Sequence, residues 1–226
     1  MHKVINGIKK NLKPNFPAHY RRAFVILGIA SFFLFVLFTI IVRSDVLRAF
    51  DFNTTVRLQD DIPVRIDDLF SLLSVFGRFE FSIVILIAIL LLKRKILGIM
   101  AFGLFGLAHI VEIIGKTLLS QPGPPHMFLR TTHLSMDFPG LYIHTSASYP
   151  SGHSLRAIFL SIIIFFIIWH IKKLPAYIRC LLSSGLFFYV FFMLLSRVSL
   201  GEHWTTDVIG GLLLGASFAF LSLLFL

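Results

Sequence analysis

The chain has 226 residues, 57% of them apolar and only 14% charged, with a mean hydropathy of +0.87. That leaves too few charged side chains to cover a soluble domain of this size, and the chain is too apolar to be disordered. The formal net charge of +10 sits in short basic clusters between apolar runs, a pattern that encodes membrane topology and excludes a nucleic-acid face as its reading.

Residues 1–22 form a basic tail with Lys3, Lys9, Lys10, Lys13, Arg21 and Arg22 and no acid. The apolar run 23–42 is 20 residues long, enough to cross a bilayer, and is too long and uninterrupted for a secretory leader, so it reads as an uncleaved first span. Residues 43–78 are mixed, with six aspartates, five arginines and Pro63. Within them 66–76 has helical apolar spacing and reads as an interfacial helix. The second span, 79–94, has an uncharged stretch of only 12 residues, so it must use Glu80 and snorkelling Lys93 and Arg94 at its ends.

Lys93-Arg94-Lys95 turns the chain into a third span, 96–115. A loop rich in Pro, Gly, His and Ser follows over 116–153. The fourth span is 154–171, the fifth 176–195 and the last 208–226, with a polar segment at 196–207. The expected fold is therefore all-α, a six-transmembrane-helix bundle in one domain, 23–226, behind the 1–22 tail. Of the 21 Lys and Arg, 12 lie in the tail, the 93–95 turn and the 172–179 region, which hold no acid. The positive-inside rule puts both termini in the cytoplasm and the 43–78, 116–153 and 196–207 segments outside. Cys180 is the only cysteine, which excludes an intrachain disulfide.

Three clusters can carry chemistry. The first is Ser196-Arg197-x5-His203-x3-Asp207. Ionisable residues beside hydrocarbon are costly and mark functional sites by default. His203 and Asp207 are four apart and share a face on a helical turn. A carboxylate on one ring nitrogen leaves the other free to attack, and the fork of Arg197 matches phosphate oxygens. The second is Pro150-Ser151-Gly152-His153 at the mouth of the fourth span. Backbone N–H groups of Ser151 and Gly152 at a helix start suit an anion, and His153 beside it can donate a proton to a leaving group. The third is Lys116, which shares a helical stripe with His109 and Glu112 and can reach an outer-face anion. His126, His133 and His144 have spacings that fit no common zinc pattern, so no metal is expected.

Taken together, these clusters resemble the type 2 phosphatidic acid phosphatase family of membrane lipid phosphatases, whose pattern is Lys-x6-Arg-Pro, Pro-Ser-Gly-His, and Ser-Arg-x5-His-x3-Asp. The second and third parts match here without a mismatch. In the first, the Arg-Pro pair is replaced by Gly123-Pro124. The resemblance implies a metal-independent, cofactor-free mechanism. His203 is its nucleophile, Asp207 orients His203, and His153 is its acid and base. Lys116, Arg197 and the Ser151/Gly152 region hold the phosphoryl oxygens. Arg130, the only other basic residue between Lys116 and His153, is the candidate to replace the missing arginine. The implied substrate is a membrane lipid phosphate or a polyprenyl pyrophosphate such as undecaprenyl pyrophosphate, met at the outer face of the plasma membrane. The missing arginine keeps open two other readings: a phosphotransferase to a lipid or sugar acceptor, and a non-catalytic lipid-phosphate binder.

Overall fold

Runs this apolar have one stable backbone solution in lipid, the α-helix, because every N–H and C=O must be satisfied within the segment. The computed structural model describes residues 17–93, 98–119, 121–130, 147–171 and 173–226, and these are helical throughout apart from loops and one antiparallel bridge, Pro122 with Ala147. The tail lysines Lys3, Lys9, Lys10 and Lys13, the Arg94-Lys95 turn, His133, His144 and Lys172 lie outside the described residues.

The helices are α1 (Ala18–Arg43), α2 (Arg48–Asp61), α3 (Asp67–Phe76), α4 (Phe79–Lys93), α5 (Gly98–Leu119), α6 (Gly152–His170), α7 (Ala176–Ser199) and α8 (Thr205–Ser222). Five of them (α1, α5, α6, α7 and α8) are long and apolar enough to cross a membrane. A sixth candidate is the pair Val64–Phe76 and Phe79–Leu91, joined through a 49° bend. The segment expected to lie along the interface buries Phe70, Ser71, Ser74 and Val75 and packs on α7.

Helix α8 is the centre of the bundle, in contact with α1, α5 and α6, while α7 packs on α6 and α3. Small residues permit this. A Cβ on Gly215 would press into the backbone of Leu155, and one on Gly28 would lie 2.8 Å from Leu221 Cγ. Without a hydrophobic drive between helices in lipid, such close approach is what holds a bundle together. Ser217 adds a hydrogen bond to the Gly28 carbonyl at 2.8 Å. Phe24, Phe35, Phe105, Phe159, Leu155, Leu214 and Phe218 fill the core between these helices.

Two spans have different ends from those their apolar runs suggest. Helix α7 continues to Ser199, so Ser196 and Arg197 are on its last turns and not in a polar connection. Helix α8 starts at Thr205, which puts Asp207 in its first turn.

Candidate active site

The three sequence clusters come from the ends of α5, α6, α7 and α8. Lys116 is in the last turn of α5 and Ser151 is the N-cap of α6. Contacts between these ends bring the clusters together. The backbone N–H of Ser151 donates to the carbonyl of Asp207 at 2.9 Å, which ties the start of α6 to the start of α8. Gly210 and Gly211 make this possible: a Cβ on Gly211 would run into the Ser151 carbonyl, and one on Gly210 would lie 2.5 Å from the ring of Tyr149. Tyr149 is fully buried, stacks on Phe35 and bonds Thr39 Oγ1 at 2.8 Å, anchoring the loop before α6 to α1. Burial raises its pKa, so the hydroxyl stays protonated.

His203 lies in the turn before α8, not on a helical turn with Asp207. The pair still meets, because Asp207 is the third residue of α8 and reaches back over the helix start. Its Oδ2 accepts from the Trp204 N–H at 2.8 Å and lies 3.4 Å from His203 Nδ1. Asp207 is completely buried. The backbone N–H groups of Glu202 and His203 both donate to the Arg197 carbonyl at 3.1 Å, so the turn holding His203 is folded onto the end of α7. Arg197 is fully buried and forms an ion pair with Glu202. A bend at Gly201, at φ +69, brings this turn against the Phe128 carbonyl.

Ser151 is fully buried, and its Oγ has no hydrogen-bond partner among the described residues. His153 follows on the first turn of α6, against Gly77 at the bend between α3 and α4. It lies in the electrostatic reach of Arg197, Arg156, His203 and Lys116. Lys116 Nζ donates to Glu112 Oε1 at 2.8 Å, and His109 Nε2 is 3.9 Å from Glu112 Oε2, so the stripe expected on α5 forms.

Arg130 goes elsewhere. Its Nε donates to Asp67 at 2.9 Å, Nη1 to the Gln59 carbonyl at 3.0 Å and Nη2 to the Ile62 carbonyl at 3.1 Å. The guanidinium is pinned to the corner between α2 and α3 and reaches a phosphate only by giving up these bonds.

Two residues of this region were not singled out from the sequence. Arg156 donates from Nε to the Gly77 carbonyl at 2.7 Å, with Nη1 4.0 Å from Glu112 Oε2. Its signal was an arginine inside an apolar run, three residues past His153 and so on nearly the same face. Asp51 accepts from the N–H and Oγ1 of Thr206 at 2.9 and 2.7 Å, capping α8 from α2. No local pattern marks it, since its partner is 155 residues away. A cavity of about 670 Å³ opens next to Trp204, with Asp51, Gln121, Gly123, Arg43 and Arg48 on its walls.

Among the described residues no group of three His, Cys, Asp or Glu side chains is arranged to hold a metal ion. The arrangement suits an anion: cations from three helices lie around His153 at a helix N-terminus, together with His203, which Asp207 backs.

Comparison with known proteins gives the family. The family model described as the PAP2 superfamily matches residues 95–226. Phosphatidylglycerophosphatase B of Bacillus subtilis is 36% identical over 87 residues, which cover 38% of this chain and 42% of that protein. Undecaprenyl-diphosphatase of Sulfolobus acidocaldarius is 31% identical over 158 residues, 70% of this chain and 69% of that protein. Among solved structures, the PAP2-type phosphatidylglycerolphosphate phosphatase of Bacillus subtilis superposes with a TM-score of 0.67 at 20% identity, covering 87% of this chain and 94% of that one. Aquifex aeolicus LpxE gives a TM-score of 0.56 at 22% identity, covering 77% and 94%. The arginine-histidine-aspartate turn, the serine-glycine-histidine helix start and the matched profile lead to one assignment: the chain belongs to the PAP2 superfamily.

Proposed function

We propose that the protein hydrolyses a lipid phosphate or a polyprenyl diphosphate at the outer membrane–water boundary, without a metal, through a phosphohistidine. The observation that supports this reading is the hydrogen bond from Ser151 N–H to the Asp207 carbonyl, which joins the helix start that carries His153 to the one that carries Asp207. The printed names of the two relatives, a phosphatidylglycerophosphatase and an undecaprenyl-diphosphatase, support the substrate class. The placement of 12 of the 21 Lys and Arg in acid-free segments supports an outward-facing site.

In the first step His203 Nε2 attacks phosphorus in line, forming an N–P bond as the P–O bond to the lipid breaks. Asp207 faces Nδ1 and stabilises the imidazolium charge. His153 gives its proton to the departing oxygen. In the second step His153 takes a proton from water, whose oxygen displaces His203 and releases inorganic phosphate. Lys116, Arg197 and the α6 start hold the equatorial oxygens. Phosphoryl transfer asks mainly for such positioning and charge stabilisation, and a histidine nucleophile divides one high barrier into two lower ones.

The test is phosphate release by detergent-purified protein from phosphatidic acid, phosphatidylglycerol phosphate and undecaprenyl diphosphate, without added metal, beside His203→Ala. Release that disappears in the variant supports the reading. Equal release by both overturns the nucleophile. Transfer of phosphate to an added acceptor with little free phosphate would instead favour a phosphotransferase.

A further inference from the structure

Position 123 holds glycine where the family pattern has arginine, and no backbone requirement explains it. Its φ lies outside the left-handed region, and a Cβ there would meet only Ser148, at 3.6 Å.

Arg156 is a buried arginine at the start of α6, one turn beyond Gly152. Its Nη1 is 2.8 Å from where a Cβ of Gly152 would be, and Glu112 Oε1 is closer still, so the guanidinium and the Glu112 carboxylate both lie at the N-terminus of α6. That is a helix end whose N–H groups and dipole favour an anion. The buried, unpartnered Oγ of Ser151 is at the same helix end. The Gly77 carbonyl, at the bend between α3 and α4, fixes Nε at 2.7 Å and thereby orients the fork. The charge balance points the same way. Among the described residues, Lys116 at 2.8 Å and Arg156 at 4.0 Å both lie against the carboxylate of Glu112, two cations on one acid. A positive charge held close to hydrocarbon is costly unless an anion meets it.

We infer that Arg156 takes the part of the missing motif arginine and binds the phosphoryl oxygens together with Lys116 and Arg197. The inference rests on the proposed phosphatase reading only for its catalytic consequence. Phosphate binding tests it separately. Glycine at 123 then leaves the rim of the neighbouring cavity open, and the cation reaches the phosphate from the floor of the site.

The experiment uses the full-length protein in detergent and two readouts. One is inorganic phosphate affinity, from the thermal shift it produces. The other is kcat/KM on the best lipid phosphate of the panel. Arg156→Gln is expected to weaken phosphate binding about tenfold and lower kcat/KM about 100-fold, the scale of losing one oriented donor. Adding Gly123→Arg to that variant should recover at least about tenfold of the loss, because the guanidinium returns to the family position. If Arg156→Gln does not fold, Arg156→Lys carries the test. A lysine nitrogen held by Gly77 cannot also present a fork, and phosphate binding should fall several-fold. Phosphate affinity within twofold of wild type in the folded variant overturns the assignment, and so does a double variant with no recovery. Wild-type protein that binds phosphate through Arg156 but releases none from any lipid would overturn the catalytic reading and leave this assignment standing.

Discussion

The N–H of Ser151 and the carbonyl of Asp207, 2.9 Å apart, join the first turns of two helices that lie more than fifty residues apart in the chain. Gly211 is the reason they can meet, since any side chain there collides with the Ser151 carbonyl. Gly211→Ala should force α6 away from α8. The expected cost is about 1–3 kcal/mol of overpacking. Turnover should fall with it, because His153 moves relative to His203. Thermal unfolding in detergent and phosphate release from the same preparation check this. A variant with wild-type values for both would show that the helices do not pack as described.

The roles proposed for His203 and Asp207 can be tested separately. His203→Ala should abolish turnover, and acid-quenched wild type given labelled substrate should retain phosphate on His203. Asp207→Asn keeps an acceptor for the Trp204 N–H, so α8 should hold its cap to within about 1 kcal/mol. The rate should nevertheless fall by about 10²–10⁴, the scale seen when a histidine loses its orienting carboxylate. A melting temperature that collapses with the rate would mean that Asp207 serves the fold alone.

Asp51 makes stability depend on pH. Its burial raises the pKa above the ordinary 3.8, and the nearby Asp207 adds to this, while the hydrogen bonds from Thr206 pull it down. A raised value means the folded state holds the proton more tightly than the unfolded chain. The contribution is full below 3.8 and is lost as pH rises through the raised value. Asp51→Asn keeps an acceptor for α8 and does not titrate. The melting temperature of wild type minus that of Asp51→Asn should therefore decrease as pH rises through this window and then level off. A difference that grows over the same range contradicts the assignment.

Arg130→Ala separates the rim from the phosphate site. It removes three hydrogen bonds and leaves Asp67, which is nearly fully buried, without its ion-pair partner. Breaking such a pair costs about 3–5 kcal/mol. Melting temperature should drop while phosphate affinity in the surviving folded protein stays within about twofold. Weaker phosphate binding at unchanged stability would make Arg130 a ligand after all.

Chelation is the remaining check. The proposed steps move protons and phosphate among His203, His153 and water only. EDTA at millimolar excess should leave phosphate release unchanged. Inhibition reversed by added zinc or magnesium would require a metal step.

Much of the site was legible before any fold was known. Pro150-Ser151-Gly152-His153 and Ser196-Arg197-x5-His203-x3-Asp207 are local patterns, and polar residues at the ends of apolar runs stand out because hydrocarbon penalises them. Arg130 was the natural candidate for the missing arginine by position in the loop. Nothing in the loop's sequence shows that its donors go to Asp67, Gln59 and Ile62, which belong to a different segment. Arg156 escaped notice inside a run read as a span, although an arginine there carried its own signal.

By itself the sequence determined a membrane-embedded helical chain, the spans within a few residues of their ends, and the short motifs that hold His153, His203 and Asp207. Those depend on hydropathy and short spacings, which are properties of one segment at a time. Only the tertiary structure decided that α8 is central, that Asp51 caps it, that the segment before α4 joins it across a bend, and that Arg156 faces the α6 start. Each of these depends on the close approach of segments distant in the chain, allowed by glycines such as Gly77 and Gly211 whose missing side chains have no signature until the neighbour that fills the space is known.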